Sequence, residues 1–150
     1  MCGNQLFASL ERLEATLQQL IRRMHVKMDI CMTHGITGSQ FFLMKRIHEQ
    51  GRMTVSEVAS EMDVSLSAIT AVVDKLYKAG LAKRERDQND RRLVWLTITP
   101  PGEEVLQACL TSRREAMKKY LQKLPKEDLE QLVRICEKLL SIMKHDVSPA

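Results

Sequence analysis

Five basic side chains fall within ten positions, Lys83, Arg84, Arg86, Arg91 and Arg92, interleaved with Glu85, Asp87 and Asp90. Guanidinium forks suit non-covalent capture of an anion, and an arginine at a hairpin tip fits a narrow groove where negative potential is concentrated. Asp90 beside Arg91 and Arg92 can hold one guanidinium by a two-pronged pair. Just upstream, Ser65, Ser67, Ala68, Thr70, Ala71 and Lys75 offer hydroxyls, methyls and one ammonium at helical spacing. Short side chains let a helix backbone approach base edges. Ser65 and Ser67 stand where helix-terminal N–H groups can meet a phosphate, and Lys75 is placed to reach a backbone phosphate. Reactive chemistry has no comparable set. The four histidines are scattered at 25, 34, 48 and 145, and no Ser-His-Asp arrangement, phosphate loop or apolar carboxylate pair can be assembled. The chain is not expected to be an enzyme. Cysteines 2, 31, 109 and 136 form no CxxC pair, so thiols in a reducing compartment are the default. Cys31 and His34, with His25 near, lack the cluster that would complete a metal site, so no metal or cofactor is expected.

These groups need elements to position them. Thr37, with Gln40 three residues on, opens a helix that runs to Gln50 and stops at Gly51, with Phe41, Leu43, Met44 and Ile47 apolar. Met53-Thr54-Val55 reads as a short extended piece and Ser56 to Met62 as a helix. After Asp63-Val64, Ser65 caps a helix over Leu66–Lys78 that ends at Gly80. Its apolar set, Ile69, Val72, Val73 and Leu76, lies opposite the small and polar set named above. Leu81–Arg86 and Leu93–Thr99 read as strands around the turn-prone segment 87–92, which makes a hairpin with a charged tip. Two helices in quick succession and a basic hairpin describe a helix-turn-helix with a wing.

Long helices flank this lobe. Over 5–32, Leu6, Leu10, Leu13, Leu17, Leu20, Met24, Met28 and Cys31 recur at steps of three and four, close to a coiled-coil stripe. A stripe of that length outreaches a small core and predicts a second subunit; a long helix lying across its own domain is the alternative. After Thr99-Pro100-Pro101-Gly102 a helix runs to Lys123, Leu124-Pro125 breaks it, and another covers Lys126–His145 with Leu129, Leu132, Val133, Cys136, Leu139, Leu140 and Met143 apolar.

Composition agrees. A chain of 150 residues can bury a core without disulfides, and 44% hydrophobic with 28% charged residues excludes disorder. Few aromatics, six Gly, four Pro and nine Met favour helices over a β-sandwich. No apolar run approaches the roughly 18 residues of a membrane span, and the uncharged N-terminus is no secretory signal, so a cytoplasmic protein with no membrane partner is expected. The net charge of +4 is unevenly spread: 53–80 is −2, whereas 81–99 is +2.

Ser65 to Gly80, Asp90-Arg91-Arg92 and the Leu96-to-Gly102 run with its Thr99-x-x-Gly102 spacing together resemble the multiple antibiotic resistance regulator (MarR) family, and the resemblance spans nearly the whole chain. It implies a mainly α winged helix-turn-helix protein with a small β-hairpin wing. One domain over 1–150 would hold a winged lobe at 37–99 between dimerisation helices at 5–34 and 101–146. The resemblance further implies a homodimer that binds a pseudo-palindromic operator in double-stranded DNA, usually as a repressor released by a small ligand or an oxidant. Ser65, Ser67, Ala68, Thr70, Ala71 and Lys75 would face the major groove. Arg84, Arg86, Asp90, Arg91 and Arg92 would form the DNA-contacting wing, with Arg92 in the minor groove. Leu6, Leu10, Leu13, Leu17, Leu132, Cys136, Leu139 and Leu140 would build the dimer interface. An effector site would draw on Met24, His25, Met28, Met32, Phe41 and Met44, a lining that adapts to an aromatic or lipophilic ligand, although each Met also serves core packing. Thiol control is the alternative. Peroxide sensors of the family carry a cysteine near the start of the first helix, where this chain has Phe7 and Ala8, with Cys2 displaced. The rival from another class is a helical dimerising interaction module without DNA function, in which the hairpin arginines are dispensable.

Overall fold

The computed structural model describes residues 2–28 and 35–146, and the chain divides into two compact units at Arg113. The first opens with α1 (Cys2–Met28), whose last turn carries His25 and Lys27 against the helix dipole. Nothing in Cys2-Gly3-Asn4 stops a helix, so α1 begins three residues before the expected start at Gln5; the expected last turn at 29–32 lies outside the described residues, as do Cys31 and His34. Leu6, Leu10, Leu13, Leu17 and Leu20 are exposed.

Thr37 caps α2 (Gly38–Gln50) with a full capping box: its hydroxyl accepts from the Gln40 N–H, and the Gln40 side chain accepts from the Thr37 N–H. Gly51, at φ 82°, ends the helix. The extended piece proves shorter than expected. β1 is Met53–Thr54, and Val55 already begins α3 (Val55–Met62), because Thr54 and Glu57 make a second capping box that claims the turn for the helix. Asp63 ends α3 in the left-handed region at φ 52°, its N–H and that of Val64 closing on carbonyls of the last turn. Ser65 caps α4 (Leu66–Lys78).

β2 (Ala82–Arg86) and β3 (Val94–Ile98) form the hairpin, and β1 adds a short third strand on the far side of β3, giving the antiparallel order β1-β3-β2. Met53 pairs with Leu96, and Ala82, Arg84 and Arg86 face Ile98, Leu96 and Val94. β2 starts after Leu81 because Leu81 is spent on the turn: its N–H bonds the Leu76 carbonyl and its carbonyl accepts from the Thr99 N–H. α5 (Pro100–Leu121) follows and ends two residues short of the expected Lys123.

The core gathers Phe41, Leu43, Met44 and Ile47 of α2 with Val58 of α3, Ile69, Val73 and Leu76 of α4, Leu96 of β3 and Leu106 and Cys109 of α5. Between α2 and α3, Arg46 grips Glu61 with a fork (2.7 and 3.0 Å) and also reaches Glu49 at 2.6 Å. His48 meets Glu103 of α5 at 2.9 Å.

The second unit, from Arg114, holds the end of α5 and α6 (Lys126–His145), which follows the break at Pro125 and carries Glu127 and Asp128 in its first turn. No residue of α6 is buried. Leu132, Val133, Cys136, Leu139, Leu140 and Met143 are all exposed, and Ile135 and Ile142 widen the apolar stripe beyond the expected set. No helix among the described residues is long and apolar enough to cross a membrane.

Candidate nucleic-acid interface

α4 buries Ile69, Val73 and Leu76 and leaves Ser65, Ser67, Ala68, Thr70, Ala71 and Lys75 exposed, as the sequence pattern requires. The hydroxyls have defined roles. Ser65 Oγ accepts from the Ala68 N–H at 3.2 Å and lies 3.2 Å from Ser67 Oγ, so one hydroxyl proton of this pair remains for an outside acceptor. Thr70 Oγ1 donates to the Leu66 carbonyl at 2.6 Å, which leaves its methyl and lone pairs facing outward. The surface is low, polar and mixed in hydrogen-bonding character, which is what approach to base edges demands.

At the hairpin tip Asp90 holds Arg92. Its Oδ1 accepts from the Arg92 backbone N–H and from Nε, both at 3.1 Å, and Oδ2 accepts from Nη2 at 3.4 Å. Those bonds, the side-chain one first and the backbone one second, keep the Asp90 carboxyl below its ordinary value. The Arg92 side chain is nonetheless 90% exposed. An exposed pair adds little stability; its effect is to aim a guanidinium while leaving most of it open to a ligand. Arg91 stands exposed beside it.

Arg84 and Arg86 are exposed on β2, and Arg84 also lines this side of the lobe with Thr70 and Arg92. Cross-strand pairing places Ala82, Arg84 and Arg86 on the hairpin face of Leu96, not on its outer face. Arg84 is drawn onto α4: Nη1 lies 3.5 Å from Asp74 Oδ1, and its guanidinium carbon is 4.1 Å from the Tyr77 ring centre. Asp74 also pairs with Lys78 at 3.0 Å. Tyr77, Arg84, Arg86 and Val94 line a concavity of about 410 Å³. A second cleft of about 240 Å³ runs between Thr54 and Ser56, Leu66 and Thr70 of α4, and Arg92 to Val94 of the wing. The buried Ala82 was the available signal for this face, since period two carries it to Arg84 and Arg86; Tyr77 is visible only once α4 and β2 are paired.

The base of the wing is locked by Thr99 and Gly102. Thr99 Oγ1 donates to the Gly80 carbonyl at 2.6 Å and accepts from the Gly102 N–H at 3.1 Å. A Cβ on Gly102 would lie 2.0 Å from the Leu81 carbonyl oxygen. The Thr-x-x-Gly spacing is thus a structural device that seats α5 against the end of α4. Arg52, whose guanidinium lies 3.9 Å from the Trp95 ring centre, braces β3 next to β1.

The expected effector residues are dispersed over different settings. Met24 and Met28 are half-buried and His25 exposed on α1, whereas Phe41 and Met44 are fully within the core, Phe41 with the Arg113 guanidinium 4.5 Å from its ring centre. Met32 lies outside the described residues.

The MarR family model matches residues 36–94. The repressor MdtR of Bacillus subtilis, an HTH-type transcriptional repressor, is 30% identical over 135 residues, which is 89% of this chain and 87% of that one. The crystal structure of YusO from Bacillus subtilis superposes with a TM-score of 0.72 at 30% identity and covers 88% of this chain and 94% of YusO. A cysteine-to-serine variant of MarR from E. coli, solved with operator DNA, shares the fold at a TM-score of 0.67 and 24% identity, over 83% of this chain and 94% of that one. With its helix-turn-helix, basic wing and Thr-x-x-Gly lock, this chain belongs to the MarR family of DNA-binding transcriptional regulators.

Proposed function

We propose that the protein is a repressor that binds a pseudo-palindromic operator as a homodimer and leaves it when a small apolar or aromatic effector binds. The observation that carries the DNA contact is the pairing of two readers in one lobe, the low exposed surface of α4 and the tethered but open Arg92. In this reading α4 lies in the major groove. Ser65 and Ser67 meet phosphate, Ala68, Thr70 and Ala71 face base edges, and Lys75 contacts the backbone. Arg92, with Arg91 beside it and Asp90 holding it, enters the minor groove. Arg86 supplies charge along the approach. The likeness to MdtR supports repression by site occupancy.

Dimerisation is supported by the exposed leucine stripe of α1 and by α6, none of whose residues is fully buried. Residues 5–34 and 101–146 would then join two winged lobes, 37–99 in each copy, into one operator-binding body. The half-buried Met24 and Met28 support an adaptable effector lining, and His25, Met32, Phe41 and Met44 are proposed to belong to it. A protein of this kind works in the cytoplasm.

Gel shifts with a duplex covering the protein's own promoter region test the reading. A sequence-preferring shift that weakens steeply with salt is expected, because phosphate contacts release counterions. A shift insensitive to sequence, or none at low salt, overturns it. A thermal-shift screen with phenolic acids and with oxidants separates the two kinds of release.

A further inference from the structure

The connection from α4 to the wing is only Ala79-Gly80-Leu81, with Gly80 at φ 75°, and Thr99 pins it from below. These backbone bonds set the base of the hairpin. β1 holds the far edge of the hairpin through Leu96 and Trp95 of β3, but on the α4 side the backbone bonds among the described residues stop at Leu81 and Thr99, a whole strand short of the tip. The contact made midway along β2 is that of Arg84, and its two partners lie one turn apart on α4: Asp74 takes the guanidinium edge at 3.5 Å and Tyr77 takes its face at 4.1 Å. An edge contact and a face contact together resist both sliding and twisting of the strand against the helix, and a planar guanidinium is the side chain that can make both. One edge and one face of the guanidinium are engaged in this way, and its other N–H groups stay open.

We propose that Arg84 is a positioning residue: the Asp74–Arg84–Tyr77 clasp fixes the angle between α4 and the wing, so that α4 in the major groove and Arg92 in the adjoining minor groove engage together. The proposal rests on the interface described above and assigns Arg84 a role apart from contact with DNA. Because exposed pairs contribute little to folding, the clasp is expected to show in specificity and not in melting temperature.

The test uses the full chain and fluorescence anisotropy, on a promoter-region duplex and on a scrambled duplex, at several salt concentrations. Tyr77→Leu should lower the preference for the promoter duplex about tenfold, the scale of one well-made base contact, with affinity for scrambled DNA and its salt slope unchanged. Tyr77→Phe, which keeps the ring face, should restore the preference. Arg84→Lys, which keeps the charge but not the plane, should behave like Tyr77→Leu. In an Arg92→Ala background Tyr77→Leu should cost no further preference. Circular dichroism melts check folding, and if Tyr77→Leu melts early, Asp74→Asn should give the same loss of preference in a folded protein. Wild-type preference in Arg84→Lys, or a salt slope lowered by about one in Arg84→Gln, would make Arg84 a phosphate contact and overturn the clasp. An unaffected Tyr77→Leu beside a weakened Arg92→Ala overturns the clasp alone. Wild-type preference in Arg92→Ala overturns the wing reading and the clasp's purpose with it.

Discussion

Arg92 and Asp90 divide one task between them. In the proposed reading the guanidinium would supply the DNA contact, while the carboxylate holds it through the backbone N–H, Nε and Nη2 without covering it. Removing each should therefore have a different cost. Arg92→Ala should weaken promoter binding by about 1–3 kcal/mol, the value of a good base contact. Asp90→Ala leaves the guanidinium in place but unaimed and should weaken binding about threefold to tenfold, the scale of ordering one long side chain on binding. Anisotropy titrations of the two variants check the order; equal losses would mean that the carboxylate does more than hold its neighbour. The pair also has a defined pH window. Asp90 gives up its proton more readily in the folded hairpin than in the unfolded chain, so the tether is present above the ordinary carboxylate value of 3.8 and is lost as the pH falls below it. Between pH 5 and 8 this pair should contribute no pH dependence to binding.

At the scale of elements, two joints decide how the lobe holds its readers. The first is the seat of α5. Gly→Ala in a helix ordinarily stabilises by up to about 1 kcal/mol. At Gly102 the sign should reverse, because the new methyl would meet the Leu81 carbonyl at 2.0 Å and Ile98 at 2.9 Å. Urea unfolding followed through Trp95 should show Gly102→Ala destabilised by about 3 kcal/mol, at the upper end of overpacking costs; a stabilised variant would mean the Thr-x-x-Gly joint is loose. The second joint is Arg46 with Glu61. The Arg46 hydrogen bond lowers the Glu61 carboxyl below its ordinary value of 4.5, so the stability it adds is present above that value and fades as the pH falls through the lowered one. Glu61→Gln should lower the urea midpoint at pH 7 and flatten its decline between pH 5 and 3. Much at this scale was legible in the sequence. Thr37 and Gln40, Gly51, Ser65 and Gly80 mark ends through local chemistry, and α2, α4 and α6 fall at the expected residues. Thr54 and Glu57 carried the same capping signal, but it was masked by the β-branched run Thr54-Val55. Arg46 with Glu61, and Arg84 with Tyr77, were not legible, because these pairs are partners across elements and no local period marks them.

For the whole molecule, the apolar surface is the quantity left unsatisfied. Leu6, Leu10, Leu13, Leu17 and Leu20 on α1, and Leu132, Ile135, Leu139, Leu140 and Ile142 on α6, are all exposed, Leu139 at 55%. A monomer seldom presents such long apolar helix stripes to water, and burying each against a second copy is worth roughly 25 cal/mol per Å². Residues 100–150, which include α6, are close to neutral at +1, so like copies meeting there would carry little net repulsion. Joining two lobes also changes the arithmetic of binding. Once one half-site is held, the second is met at an effective concentration in the millimolar range, which multiplies affinity by about 10² to 10⁴ with no new contact. A Leu139→Glu substitution places a charge in the α6 stripe and leaves every residue of α4, the wing and the core unchanged. It should give a monomer by light scattering, with a circular dichroism spectrum close to wild type. Affinity for a palindromic duplex should fall by about 10² or more, whereas affinity for a single half-site should change little. A dimer that persists would move the interface away from α6. A monomer that still binds the palindrome at wild-type strength would mean that each lobe reads DNA alone.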